Sequence, residues 1–542
     1  MSSGSRGRWL CVWALALLLA GAPGGSNAGR ILGLFYFPGR SHFIIFEPLL
    51  QELAKRGHQV DVVSHFPLEK PLPNYTDISL KGTWPMLHNS FTVDDLMNMH
   101  FFNLMQFTWT MNVEMCRKAM EHPFLKELAA SPERFHYDVV LVEIFGVDCA
   151  YGYAYKLGAP VIGMTSLVGL PYGQERVGNP DNPAYVPVAN LPFTSHMTLW
   201  ERTLNSLGKL YAVLGEKLFG RRPTDQLLRK HLGADMPSLS ELIEHNSSLV
   251  MVNSHFSLNG ARPAVPGYLE VGGMHVNPKR GKLPEDIGAF LDGAGPEGAV
   301  FVSFGSLLLM EELPAPQLQA LLQVLGALPQ RVVWRINGTR VPGGLPRNVL
   351  GKPWMPQQEV LSECTCSAAG HPKIRAFVSH GGLASTQEAM QWAVPAVVVP
   401  FFTDQRQNGR LWEERGAARV LHFYDITPDS LRDALNAVLN DPSYRESAKR
   451  LSEQFRDRPQ APLETAVWWT EYVMRHRGAP HLRSAAVGLS WVQLWLLDVG
   501  AVLAAILAML AAILWLLVRA IANFLCHKRK SVVSKANKDK TS

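Results

Sequence analysis

Residues 499–518 read VGAVLAAILAMLAAILWLLV, twenty consecutive residues without a charge. At a helical rise of about 1.5 Å per residue such a run reaches about 30 Å, the thickness of a bilayer's hydrocarbon core. Asp498 and Arg519 bound it, and Trp491, Trp495 and Trp515 fall near its ends, where indole rings favour a membrane interface. A core helix of a soluble domain is rarely so long and uncharged. The segment is therefore expected to fasten the chain to a membrane as a single-pass transmembrane helix.

The other end carries a different apolar pattern. Arg6 and Arg8 precede the run 9–20, and Ser26-Asn27-Ala28 offers small residues for cleavage, so residues 1–28 read as a secretory signal peptide. Together the two ends imply type I topology, with residues 29–490 translocated and 519–542 in the cytosol. That tail holds seven Lys or Arg and one Asp, and its charge of +6 equals the net charge of the whole chain. It follows the positive-inside bias. The body is left close to neutral, so no nucleic-acid partner is expected. Lys538 and Lys540 stand fifth and third from the end, a pattern that resembles the retrieval signal of endoplasmic reticulum membrane proteins. Four of the six cysteines, Cys116, Cys149, Cys364 and Cys366, lie in the body. A body of this size needs no disulfide to build a core. Glycosylation acceptor sequences begin at Asn74, Asn246 and Asn337.

The body reads as two α/β halves. Residues 31–38 form an apolar run, a loop with Gly39, Arg40, Ser41 and His42 follows, a helical pattern runs from Glu47 to Arg56, and 59–64 is a second strand. The stretches 137–142 and 160–164 read as further buried strands. The Phe- and Met-rich region 72–128 is less regular and reads either as helices around an apolar pocket or as ordinary core. The pattern restarts with a strand at 298–305, a helix at 314–327, and strands at 330–336, 374–379 and 395–400, with a helix from about Ser385 to Trp392. A Gly- and Pro-rich linker near 260–285 separates the halves. Two open α/β domains in tandem make a cleft at the C-terminal ends of their strands.

Several polar residues fall at that cleft. Ser303-Phe304-Gly305-Ser306 follows a strand, where glycine permits close backbone approach and a hydroxyl with helix-start amides can hold phosphate. The segment HGGLASTQE, 380–388, ends a strand and opens a helix. His380 and Ser385 suit an anion there, while Ser385 and Glu388 fit equally a plain capping box.

This segment, with WMPQQ at 354–358 and PFFTDQ at 400–405, resembles the UDP-glycosyltransferase family of membrane-bound animal type, in a form closest to its arthropod members. The resemblance runs from about residue 30 to the tail and implies the GT-B fold, two Rossmann-like domains facing a cleft. It implies an acceptor domain at 29–275, a UDP-sugar domain at 280–455, and C-terminal helices with a juxtamembrane segment at 456–490. It also implies roles: Trp354 on the uracil ring, Gln357 beside the nucleoside and Glu388 on the ribose. Ser306, His380, Ser385 and Arg335 would hold the diphosphate, and Asp404 and Gln405 the sugar hydroxyls. His42 matches the family's catalytic histidine, and imidazole suits removal of an acceptor proton. Such a base needs an orienting carboxylate. The family often places Asp after the strand at 137–142, whereas this chain has Glu143, with Asp148 as its rival.

One departure stands out. Residues 362–370, SECTCSAAG, are inserted where the family has almost nothing, either as a surface loop or as an artefact of the gene model. A lone Cys-x-Cys pair is a poor zinc site. The expected activity is inverting transfer of a hexose, glucose ahead of glucuronate, from a UDP-sugar to a small lipophilic acceptor. A non-catalytic lipophile-binding member is the other reading. No permanently bound cofactor and no metal is expected, and a homo-oligomer is left open.

Overall fold

The computed structural model describes residues 28–87, 90–145, 147–279, 281–362 and 373–538. Residues 1–27 of the expected signal peptide, Cys364 and Cys366 of the insertion, and the last four residues of the tail lie outside the described residues.

The buried runs of Val, Ile and Leu pair side by side into parallel sheets, as strands covered on both faces do. The first sheet holds β1 (Arg30–Phe35), β2 (Gln59–Ser64), β3 (Tyr75–Ser79), β4 (Val139–Glu143), β5 (Val161–Thr165), β6 (Ser247–Val252) and β7 (Tyr268–Glu270) in the order β3-β2-β1-β4-β5-β6-β7. Ile31 pairs with Val60 on one side and Val139 on the other. The helices that matter to the site are α1 (Arg40–Lys55), α2 (Phe101–Ala119), α3 (Ala150–Leu157) and α4 (Leu199–Gly215).

The second sheet holds β8 (Ala299–Ser303), β9 (Arg331–Arg335), β10 (Val349–Lys352), β11 (Ile374–Ser379), β12 (Ala396–Val398) and β13 (Ala418–Val420), in the order β10-β9-β8-β11-β12-β13. It carries α5 (Leu383–Gln391) and α6 (Gln405–Glu414). In each sheet the strand order reverses once, between β1 and β4 and between β8 and β11. Ligands sit outside the strand ends at such a reversal.

Two sequence expectations change. The loop expected over Gly39–His42 is mostly helix: Gly39 is the extended N-cap and α1 begins at Arg40, so His42 lies in its first turn. Pro48, which imitates a helix start, sits inside α1. The apolar spacing Phe43, Phe46, Leu50, Leu53 carries the helix through it, buried against β1 and β2. The region 72–128 is both core and pocket wall. Met115, Cys116 and Ala119 of α2 are core, while Leu104, Met105 and Met111 face the cleft.

After the second sheet the chain returns to the first domain. Helix α7 (Pro462–Arg475) buries Ala466, Val467 and Val473 in the same cluster as Ile31 and Leu49, and Arg56 donates to Glu464 at 2.7 Å. The C-terminal unit, Ala485–Ser542, is dominated by α8 (Leu497–Lys538). An 18-residue window within its stretch Leu497–Val532 has a mean hydropathy of 2.9 and, among the described residues, this is the one helix long and apolar enough to cross a membrane. The helix does not stop at Arg519 but continues into the basic tail.

Candidate active site

The reversal between β1 and β4 brings His42 and Glu143 together. Chain leaving β1 turns at Gly39 and places His42 in the first turn of α1, while Glu143 is the last residue of the neighbouring β4. His42 Nδ1 lies 2.6 Å from Glu143 Oε1, and the carboxylate is buried. Phe37 and Phe145 hold the imidazole from two sides, at ring separations of 4.3 and 4.6 Å. With Nδ1 engaged, Nε2 is the ring nitrogen left for chemistry. Asp148, the rival carboxylate, is not available. It accepts from Arg176 at 2.8 Å with both side chains buried, because a buried guanidinium needs a counter-charge.

The reversal between β8 and β11 does the same for the second domain. A Cβ on Gly305, at φ +76°, would stand 2.7 Å from His380 Nε2, and one on Gly381, at φ +80°, would stand 3.1 Å from the Gln405 carbonyl oxygen. Both turns therefore require glycine. Every donor-side residue singled out in the sequence, from Ser306 to Gln405, lines one cavity of about 640 Å³ together with His42. Burial, with Arg335 nearby, pushes the His380 pKa down to about 4, so its imidazole is a neutral donor or acceptor. Burial also lowers Arg335, whose guanidinium lies over Trp354 at 5.8 Å, and raises Asp404.

The capping-box reading of Ser385 and Glu388 fails. The N-cap of α5 is Gly382, without a side-chain cap. Gln357 instead donates to Ser385 Oγ at 2.8 Å and to Glu388 Oε2 at 2.6 Å, which fixes both side chains from the start of the short helix Gln357–Ser362. Gln405 spends its Oε1 on the Phe401 amide at 2.9 Å, leaving its NH2 for a ligand. Asp404 accepts from Asn408 at 2.7 Å and from Thr403 at 2.8 Å. Thr403 itself has φ +53°, a strained conformation for a β-branched residue, of the kind that clusters at ligand sites.

His275 was not anticipated. It lies in the linker, fully buried, lines the cavity, and holds Nε2 3.6 Å from Glu388 Oε1. The linker is fastened there, since Gly273 N–H donates to Gln387, Asn277 N–H to Gln358, and Gln358 back to the His275 carbonyl. Sequence offers no local signal for a contact across 113 residues. A second unanticipated link is the disulfide Cys116–Cys149, which ties α2 to the start of α3. Asn112 reinforces it by donating to the Phe145 carbonyl at 2.6 Å.

The glycosylation candidates are unequal. Asn74 sits in a left-handed turn with its amide donating to the Ala54 carbonyl, Asn246 has a buried amide nitrogen, and Asn337 accepts from Thr339 of its own acceptor sequence. Among the described residues no group of three His, Cys, Asp or Glu side chains is arranged to hold a metal ion.

A family model described as UDP-glucoronosyl and UDP-glucosyl transferase matches residues 37–532. UDP-glucosyltransferase 2 of Dactylopius coccus is 37% identical over 481 residues, covering 88% of this chain and 89% of that protein. Human UDP-glucuronosyltransferase 1A1 is 31% identical over 570 residues and covers 100% of both chains. Among solved structures, glycosyltransferase VinC in complex with DTDP superposes with a TM-score of 0.53 at 19% identity, over 83% of this chain and 99% of that one. That likeness establishes the GT-B fold. With two sheets meeting at one cavity and matches along nearly the whole length, the chain belongs to the UDP-glycosyltransferase family and is a transferase of the glucosyl or glucuronosyl type.

Proposed function

We propose that the chain transfers a hexose, glucose before glucuronate, from a UDP-sugar to the hydroxyl of a small lipophilic acceptor, with inversion. The observation that carries this reading is the His42–Glu143 pair, whose imidazole lines one cavity with all the donor-side residues.

In this reading His42 Nε2 takes the acceptor proton while Glu143 holds Nδ1–H and stabilises the imidazolium. The acceptor oxygen forms its bond to the anomeric carbon from the face opposite UDP. The bond to the UDP oxygen breaks, and its electron pair leaves with the diphosphate. Ser306, Arg335, His380 and Ser385 meet that growing charge. Trp354 stacks on uracil, Gln357 and Glu388 hold the nucleoside and ribose, and Asp404 and Gln405 hold sugar hydroxyls. The acceptor lies in the first domain, 29–275, among Leu104, Met105 and Met111, and the donor in the second, 280–455. Glucose is favoured on two grounds. The relative at 37% identity is named a glucosyltransferase. The two arginines lining the cavity also have other tasks, Arg40 paired with Glu47 at 2.7 Å and Arg335 on the diphosphate, which leaves no lining Lys or Arg for a C6 carboxylate among the described residues.

Helix α8 is read as the membrane anchor and the endoplasmic reticulum as its membrane, with the body in the lumen. The Cys116–Cys149 disulfide supports translocation, since such bonds persist in oxidising compartments. The test is competition between UDP-glucose and UDP-glucuronate with a hydrophobic phenol as acceptor. Preferred glucoside formation is expected. Preferred glucuronide formation would overturn the sugar, and no transfer with either donor would overturn the reaction.

A further inference from the structure

One loop of the first domain is fastened by both domains. Asn205 of α4, fully buried, accepts from the Val188 amide at 2.8 Å and donates to the carbonyls of Pro183 and Val186 at 2.8 and 2.9 Å. These bonds stitch residues 183–188 to the first domain. The second domain takes the other side. Gln407, in the first turn of α6, donates to the Phe193 carbonyl at 3.1 Å and to the Val188 carbonyl at 3.4 Å. Arg410, further along α6, donates to the Pro192 carbonyl at 3.0 Å and to Glu201 at 2.9 Å. Ala189 is buried in a cluster that also contains Leu383 and Val398 of the second domain. Segment 188–193 therefore bridges the two domains, with both of its ends on one glutamine.

Asn190 stands inside that segment and lines the cavity. Its φ is +73°, in the left-handed region that asparagine enters more readily than most side chains because its amide can bond to nearby backbone. Here the amide makes no such bond. Among the described residues the Asn190 side chain has no hydrogen-bond partner, and its Oδ1 is buried. A buried polar atom left without a partner carries a desolvation cost that a polar ligand can remove. The unusual backbone is imposed by a loop held at both ends, and such residues cluster where a ligand is gripped.

The attachment to α6 points to the ligand. Asp404 is the N-cap of α6 and Gln405 its first residue, and both are read as sugar ligands. Asn408 fixes Asp404 at 2.7 Å, while Gln407, its neighbour in the chain, fixes the loop that carries Asn190. One turn of one helix thus sets Asp404, Gln405 and Asn190 together. The apolar wall given to the acceptor comes from α2 instead. A neutral amide can donate and accept, as a sugar hydroxyl can. We propose that Asn190 is a sugar ligand contributed by the first domain: its amide bonds a hydroxyl of the transferred hexose and completes, with Asp404 and Gln405, the polar pocket that selects the sugar. The proposal rests on reading the cavity as a UDP-hexose site and adds to it a residue from the opposite domain.

The test is calorimetry on the full chain in detergent, with UDP-glucose and with UDP, which lacks the hexose. Asn190→Gly removes the side chain and accepts the left-handed backbone without strain. It should weaken UDP-glucose about five- to tenfold and leave UDP and the KM of a hydrophobic phenol unchanged. Deoxy analogues of UDP-glucose, each lacking one sugar hydroxyl, identify the contact: one of them should bind the native chain and Asn190→Gly equally. Undiminished UDP-glucose affinity in Asn190→Gly would overturn the proposal and leave the donor site standing. So would equal weakening of UDP-glucose and UDP, which would confine Asn190 to the fold, or a deoxy series in which no analogue removes the difference. A raised phenol KM with unchanged UDP-glucose affinity would assign Asn190 to the acceptor and overturn the proposal. A native chain that binds neither UDP-glucose nor UDP would overturn the donor site and the proposal together.

Discussion

His42, in the first turn of the helix that follows β1, and Glu143, the last residue of β4, meet at 2.6 Å where the strand order reverses. The contact fixes which imidazole nitrogen remains free. His42→Ala is therefore expected to lower kcat by about 10² to 10⁴ with little change in UDP affinity. Glu143→Gln keeps the shape but cannot stabilise an imidazolium, and should lose activity on the same order. Asp148→Asn, which disturbs only the Arg176 pair, should lose stability rather than shift the pH profile. Steady-state rates with titrated UDP binding check all three, and a fully active His42→Ala would remove the assigned base.

Trp354 is 63% exposed, with the Arg335 guanidinium 5.8 Å from its ring, which suits a ring awaiting a planar partner. Base stacking contributes about 1–3 kcal/mol, so Trp354→Ala should weaken UDP about tenfold by calorimetry. An unchanged affinity would place the uracil elsewhere.

His275 tests whether the linker belongs to the donor site. Its Nε2 lies 3.6 Å from Glu388, whose other oxygen Gln357 already holds. That separation is too long for a hydrogen bond and neither buried ring nitrogen has a partner, so a bound donor that supplied a charged one would contribute about 1.5 kcal/mol. His275→Leu should then raise KM for the UDP-sugar about tenfold at constant kcat, and His275→Gln should recover most of it. A parallel fall in kcat in both variants would mean that the residue only supports the fold.

Acid should destabilise the body through buried histidines. Burial holds His65 down to about 4, and burial with Arg458 nearby holds His255 down to about 3. Both are depressed below the usual 6.5 of an unfolded histidine. The unfolded chain takes up protons first, so stability is full above about pH 6.5 and falls as pH drops toward 4. Each site should contribute a loss of about 2 kcal/mol by pH 5. Thermal unfolding at pH 7 and pH 5 checks this, and His65→Gln with His255→Gln should narrow the difference between the two.

Much of the site was legible because its residues follow strands that announce themselves. Buried β-branched runs gave the bounds of β2 and β11 without error, and what comes after a strand at a sheet reversal must face the cleft. Hence Ser306 and His380 line the cavity as their place after a strand predicts, while Asp404, which follows β12 away from the reversal, is legible only through the family resemblance. What escaped depends on contacts between distant segments. Pro48 imitates a helix start and so masks the true start of α1 at Arg40. The Asp148–Arg176 pair and the linker's His275 have no periodic or local signal, since each is decided by what packs against it.

The disulfide is the last of these hidden contacts, and it bears on the site directly. Cys116 lies on α2, whose upstream turns carry the apolar cavity wall, and Cys149 starts α3, just after the segment holding Glu143 and Phe145. The bond spans a sequence separation of 33, for which loop entropy predicts about 3 to 4 kcal/mol of stabilisation. Cys116→Ser with Cys149→Ser should lower the unfolding temperature by a few degrees. Because the bond also holds the acceptor wall against the loop behind His42, KM for the acceptor should rise while UDP binding stays unchanged. Unfolding curves and acceptor titrations of the double variant check both. A lower unfolding temperature with unaltered acceptor KM would confine the bond to stability.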